Sequence, residues 1–196
     1  LFGTVLHISG AGEVLLKFAF VATGRFSGGP AHAAIVGSAM FGTLSGSPIA
    51  NVVSTGVFTI PIIKRSGFSA KFAGAVEASA STGGQIMPPV MGVVAFLMAD
   101  ITGIPYLKIV VAALIPAAMY YLSLFIVVYI EAKKRGVEPI PKDQRQVLTR
   151  SDWVRSLAFW APLGTLVYYL LDGRTPQNAG FAATIVATTS RRLGLC

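Results

Sequence analysis

The sequence predicts an all-α integral membrane protein containing a re-entrant helical hairpin and a broken transmembrane helix. Three observations carry that prediction. Charged residues make up 12% of the 196 residues, where soluble domains carry roughly 25%. Uncharged runs cover Ala33 to Ile63, Ala78 to Ala99 and Ile109 to Ile130, with weaker ones over Ser156 to Leu171 and Thr175 to Ser190. Two of these runs are interrupted by Gly, Ser, Thr, Asn and Pro, in "GTLSGSPIANVVSTG" from Gly42 and "STGGQIMPP" from Ser81.

The elements follow in order. Leu1 to Ile8 reads as the end of a membrane helix, and "SGAGE" as a turn. Val14 to Phe26 mixes Lys17 and Arg25 with apolar residues, the pattern of an interfacial helix, and "SGGP" breaks it. The run from Ala33 to Ile63 has basic or titratable residues at both ends: Arg25 and His32 before it, Lys64 and Arg65 after it. If both ends lie on the cytoplasmic face, the run enters and leaves on that face. Its roughly 31 residues make about 46 Å of helix, enough for two arms that reach the midplane of a core about 30 Å thick and return. Pro48 falls at the expected tip. The competing reading is one long tilted helix kinked at Pro48.

From Phe72 to Ala99 the chain reads as a helix broken at Ser81 to Pro89, because two adjacent prolines remove two amide donors and fix φ. Ile109 to Ile130 is a clean span containing Pro116, and a Lys/Arg-rich linker follows over residues 131–155. By the positive-inside rule that linker is cytoplasmic, the Asp100 loop is outside and "KRSGFSAK" is inside. The net charge of +8 sits in these loops, which argues for a lipid bilayer as the partner and against nucleic acid. Cys196 is the single cysteine, so neither a disulfide framework nor a cysteine metal site can form.

Non-helical backbone at membrane depth must be buried in protein or line a cavity. Ser45, Gly46, Ser47 and Asn51 place neutral oxygens at the hairpin tip, and Ser81, Thr82, Gly83, Gly84 and Gln85 do so at the break. Such oxygens suit a coupling cation, and paired Gly/Pro interruptions point to a transporter site. The alternative is close helix packing, which also uses Gly, Ser and Thr. Glu77 is left without a role, since an interfacial carboxylate pairing with Lys71 or Lys64 explains it equally well. With no carboxylate expected at the midplane, sodium is favoured over the proton.

Enzymatic readings find little support. "GTLSG" approaches the G-x-S-G phrase of intramembrane serine proteases, but its spacing is one residue too long, and His7 and His32 lie near membrane boundaries. There is no H-E-x-x-H, Walker motif or C-x-x-C.

The phrases "TGRFSGGPAHAAIVGSAMFGTLSGSPIANVVSTGVFTIPIIKRSGF" and "AGAVEASASTGGQIMPPVMGVVAFLMADITGIPY" resemble the large (M-type) permease subunit of tripartite ATP-independent periplasmic (TRAP) transporters. The likeness runs from Gly10 to Glu138 and is nearest the fused-permease branch served by TAXI-type receptors. It implies an ion-transporter-type fold of two inverted repeats, an elevator motion, and uptake of an organic acid or amino-acid-like solute. A secreted receptor would deliver the solute, a small-permease module would be fused or associated, and sodium or protons would drive uptake. The setting would be the cytoplasmic membrane of a bacterium or archaeon. Carried over, the cation positions are Ser45, Gly46, Ser47 and Asn51, with Ser81, Thr82, Gly83, Gly84 and Pro88. Pro48 departs from the Ser or Ala expected at the tip. On this reading residues 1–138 form a first-repeat transport unit and residues 156–196 the start of a second. No second hairpin follows, so the chain is expected to be a fragment, and a non-transporting fragment is the alternative function.

Overall fold

The computed structural model describes residues 11–89, 91–139, 148–172 and 176–192. The expected helix end at Leu1 to Ile8, residues 140–147 of the linker and the last four residues lie outside these. The described residues form eight helices and no strand. They are α1 (Ala11–Thr23), α2 (Gly29–Ser45), α3 (Pro48–Arg65), α4 (Ala70–Gly83), α5 (Val93–Thr102), α6 (Tyr106–Lys134), α7 (Arg150–Leu171) and α8 (Pro176–Arg192).

Local chemistry sets the boundaries near the site. α2 ends at Gly46, whose φ of 59° is open to glycine at no steric cost, and the Gly46 amide donates to the Gly42 carbonyl at 3.0 Å. Ser47 caps α3, accepting from the Ala50 amide at 3.4 Å, and Pro48 takes the first helical position, where no amide donor is needed. The turn between the two arms is thus Gly46–Ser47, and Pro48 starts the second arm rather than forming the apex.

α4 stops where the glycine pair begins. Beyond Ser81 the amides of Gly84, Gln85 and Ile86 donate to carbonyls three residues back, at 3.1–3.2 Å, a tighter winding than α-helix. The chain then passes through Pro88 and Pro89, and the Gly92 amide closes the loop onto the Gln85 carbonyl at 2.8 Å. α5 restarts at Val93.

α2, α3 and α4 pack on one another, with α1 beside α2 and α6 against α2 and α4. The core between them is rich in alanine: Ala31, Ala34, Ala73, Ala80 and Ala132 surround Ile35, Ile63, Phe68 and Val128. Small side chains let helix backbones approach closely, the usual solution where lipid removes the hydrophobic drive between helices. A second cluster joins Met91, Tyr106 and Val110 to Leu166 and Leu170 of α7 and Ala183 of α8.

One helix among the described residues, α6, is long and apolar enough to cross a membrane by length and composition. α3 adds an inside-out pattern. Asn51, Thr55 and Thr59 face inward and are at most 4% exposed, while Ile49, Val53 and Val57 are 66–78% exposed. A water-facing helix shows the reverse arrangement.

Near the linker, Lys17 of α1 meets Asp152 at the start of α7 at 2.6 Å, and the Thr149 amide donates to the same carboxylate at 2.8 Å. The Lys17 side chain is one-third exposed, so the pair is screened. Lys17→Met is expected to lower stability by no more than about 1 kcal/mol, an effect that shrinks in high salt. Thermal unfolding at low and high ionic strength checks this.

Candidate functional site

The two interruptions meet in space. A Cβ on Gly42, one turn before the tip, would lie 2.6 Å from the Gly84 Cα, and one on Gly84 would lie 2.6 Å from the Gly42 Cα. A Cβ on Gly46 would stand 2.5 Å from the Met91 carbonyl oxygen and 3.4 Å from the Gly92 Cα. Two backbones thus come into direct contact, first arm against break and tip against the start of α5. Gly83 completes the fit, because a Cβ there would meet the Tyr120 ring at 2.5 Å.

The residues singled out from the sequence fall into four groups. Gly46, Gly83 and Gly84, with Gly42 beside them, serve close approach. Asn51 and Ser81 are buried and belong to one hydrogen-bond network. Thr82 lies on the exposed side of α4, where its hydroxyl donates to the Ala78 carbonyl at 2.8 Å, away from that network. Ser45 ends α2, Ser47 is the cap of α3, and Pro88 sits in the loop between α4 and α5.

At the centre of the network is Glu77, which the sequence left unassigned. It is fully buried. Neither Lys64 nor Lys71 pairs with it, and the described residues hold no ion pair to its carboxylate. That corrects the interfacial ion-pair alternative, and with it the expectation that no acid lies deep among these helices. Oε1 accepts from Ser38 Oγ at 3.0 Å, from Ser81 Oγ at 3.2 Å and from Thr55 Oγ1, and Oε2 accepts from Thr59 Oγ1 at 2.6 Å. Asn51 Nδ2 donates to the Ser38 carbonyl at 2.8 Å, tying the two hairpin arms together one turn from the carboxylate. Burying a charge costs several kcal/mol unless partners are supplied, and here four hydroxyls from three helices supply them.

The signal was present but spread across the chain. Asn51, Thr55 and Thr59 recur every fourth residue on one face of α3, as do Glu77 and Ser81 on α4. Only their convergence identifies the set.

His32, the described candidate base for a protease, is buried with Nδ1 3.2 Å from the Gly28 carbonyl and Nε2 3.1 Å from the Phe125 carbonyl. Both nitrogens are engaged with backbone. A cavity of about 440 Å³ lies on the far side of α2, lined by Ile35, Met40, Met87, Pro88 and Phe159 among others, none of them charged.

Comparison with known proteins bears on this geometry. Residues 1–190 match the family model for the tripartite ATP-independent periplasmic transporter, DctM component. The chain belongs to that family. It is 29% identical over 190 residues to the C4-dicarboxylate TRAP transporter large permease protein of Pseudomonas aeruginosa, a match covering 93% of this chain and 42% of the relative. It is 32% identical over 138 residues to the corresponding protein of Vibrio cholerae, covering 70% of this chain and 30% of that one. It is also similar to the sialic acid TRAP transporter permease protein of Haemophilus influenzae, at 29% over 165 residues, or 84% and 26% of the two chains. This DctM-family chain therefore spans less than half the length of the curated relatives it matches.

Proposed function

We propose that the chain is part of a permease subunit of a secondary, ion-gradient-driven uptake system in a bacterial or archaeal cytoplasmic membrane. The observation that carries this reading is the seating of the hairpin tip on the break, backbone against backbone at Gly42–Gly84 and Gly46–Met91. Two helix ends and a stretch of irregular backbone meet there, the arrangement that supplies dipoles and free carbonyls to an ion. The inside-out face of α3 and the length of α6 support a lipid setting for it.

On this reading the pair α2/α3 is a re-entrant hairpin and α4/α5 a broken helix, within one repeat that moves as an elevator. Sodium or a proton is the coupling ion. Ser45, Gly46, Ser47 and Asn51 on one side, and Ser81 to Gly84 with Pro88 on the other, form the region where sodium would be held. The relatives' names specify a C4-dicarboxylate and sialic acid, so the solute class proposed here is a small organic acid, delivered by an extracytoplasmic receptor. The fused-branch resemblance makes a TAXI-type receptor the first partner to test.

The test is uptake of a radiolabelled C4-dicarboxylate or sialic acid by proteoliposomes holding the permease that contains this chain, with receptor outside and either a sodium or a pH gradient imposed. Ser47→Ala combined with Thr82→Ala is expected to weaken the dependence on the driving ion. Ser47→Thr, which keeps the cap of α3, is expected to retain it. Ion dependence unchanged in the double variant would overturn the assignment of these two residues. Uptake indifferent to both gradients would overturn the function.

A further inference from the structure

We propose that the end of the bundle where the α3–α4 turn meets the close of α6 is a binding surface for the headgroup of an anionic phospholipid, held by Lys64, Arg65, Lys71, Lys133 and Lys134. Such a surface requires the bilayer setting and nothing of the uptake reading above.

Three segments distant in sequence close this end. Phe68, in the turn after α3, packs in one cluster with Ala132 of α6, and Val137 just beyond α6 rests against that cluster. A Cβ on Gly67 would lie 3.5 Å from Val137 Cγ2. One on Gly28, in the turn before α2, would lie 2.9 Å from Ala132 Cβ and 3.2 Å from Phe68 Cζ. That seating gathers Lys64 and Arg65 at the end of α3, Lys71 in the first turn of α4, and Lys133 and Lys134 in the last turn of α6, all exposed. Arg25, also exposed, precedes Gly28 by three residues. The acids here are Glu131 and Glu138, and Glu131 is engaged by Arg135 at 2.5 Å. Among the described residues no ion pair reaches the five cations. At the opposite end, Asp100 in α5 and Lys108 at the start of α6 carry one charge of each sign.

Cations in the last turns of α3 and α6 also complement the helix dipole, but that does not account for Lys71. A helix start favours negative charge, and the first turn of α4 holds a lysine and no acid. An anion seated there relieves the repulsion among the five cations and meets the partial positive charge at the start of α4 at the same time.

The surface beneath the charges selects an amphiphile. On α3 the residues within two turns before Lys64 include Val57, Phe58 and Pro61, all exposed. On α6, Ile126, Val127 and Ile130 are 50–59% exposed, and Lys133 Nζ lies 5.8 Å from the centre of the Tyr129 ring. Tyrosine beside lysine marks the headgroup level of a bilayer. A soluble polyanion would leave those apolar columns bare. A phospholipid matches both parts, with phosphate for the cations and acyl chains for the apolar residues below them.

The test titrates the full permease that contains this chain, purified in neutral detergent, with phosphatidylglycerol, phosphatidylcholine and glycerol phosphate, and counts bound molecules by native mass spectrometry. Phosphatidylglycerol is expected to bind, and phosphatidylcholine, whose headgroup has no net charge, far more weakly. Lys64→Gln, Lys71→Gln and Lys133→Gln are each expected to weaken phosphatidylglycerol binding about fivefold, and together roughly a hundredfold, with further weakening in high salt. These side chains are exposed, so the fold is expected to survive the changes. Lys108→Gln, at the opposite end, is expected to leave binding unchanged, as is Lys64→Arg combined with Lys71→Arg. Equal affinity for the two lipids, or a triple variant as tight as the wild type, would overturn the assignment. Glycerol phosphate binding as tightly as the lipid would overturn it too, by making this a site for a free phosphate ester. Lipid binding and ion-driven uptake can fail separately, because they rest on different residues.

Discussion

Gly84→Ala is expected to unseat the hairpin from the break, with a loss of stability of about 1–3 kcal/mol, the cost of overpacking a tight contact. The φ of Gly84 is −58°, a backbone conformation alanine adopts freely, so the whole effect is steric. The new methyl would meet the Gly42 Cα at 2.6 Å and its carbonyl carbon at 3.2 Å, and backbone atoms in a helix cannot step aside as the end of a side chain can. Gly74→Ala, within the helix that Gly84 caps, supplies the control. A Cβ there meets nothing within 4 Å, so alanine is expected to be neutral or to stabilise by about 0.5–1 kcal/mol through lower backbone entropy in the unfolded chain. Thermal unfolding in detergent compares the two. Equal stabilities would show that α2 does not rest on the break.

Asn51→Leu is the second large effect. Asn51 is fully buried, ties α3 to α2 through the Ser38 carbonyl at 2.8 Å and accepts from Thr55 at 3.4 Å. Leucine is close in size but makes neither bond, so the link from α3 to the Ser38 carbonyl and the contact with the Thr55 hydroxyl are both lost inside a buried site. The lost hydrogen bonding predicts a loss of about 1–3 kcal/mol. Val53→Ala, on the exposed face of the same helix, is expected to change stability by less than about 0.5 kcal/mol in detergent. The same unfolding measurement decides it, and a mild Asn51→Leu would mean that the two arms are not joined through this residue.

The two interruptions were legible in the residues to within a few positions, although the turn lies at Gly46–Ser47 and not at Pro48, the expected tip, and Ala11 to Glu13, expected in a turn, are helical. Glycine at positive φ ends α2 at Gly46, serine followed by proline starts α3, and the pair Gly83–Gly84 ahead of Pro88–Pro89 ends α4. These are local effects, decided by the chain within a few residues. The role of each polar residue was not legible. Thr82 and Ser81 are neighbours with similar chemistry, yet Ser81 points into the network and Thr82 out of it, because successive positions on a helix lie about 100° apart. Glu77 was passed over for the same reason. Nearby lysines in sequence offered it a partner, while its real partners are 4, 18, 22 and 39 residues away.

By itself the sequence determined a helical chain with long uncharged runs suited to a bilayer, two polar interruptions within those runs, and the family to which it belongs. Tertiary structure alone decided what those interruptions do. It pressed glycine on glycine to bring the two breaks together, and it turned hydroxyls from three helices onto one buried acid. Helix ends are fixed by short-range sterics and hydrogen bonding, whereas the partner of a buried charge is whichever group the packing of distant segments carries to it.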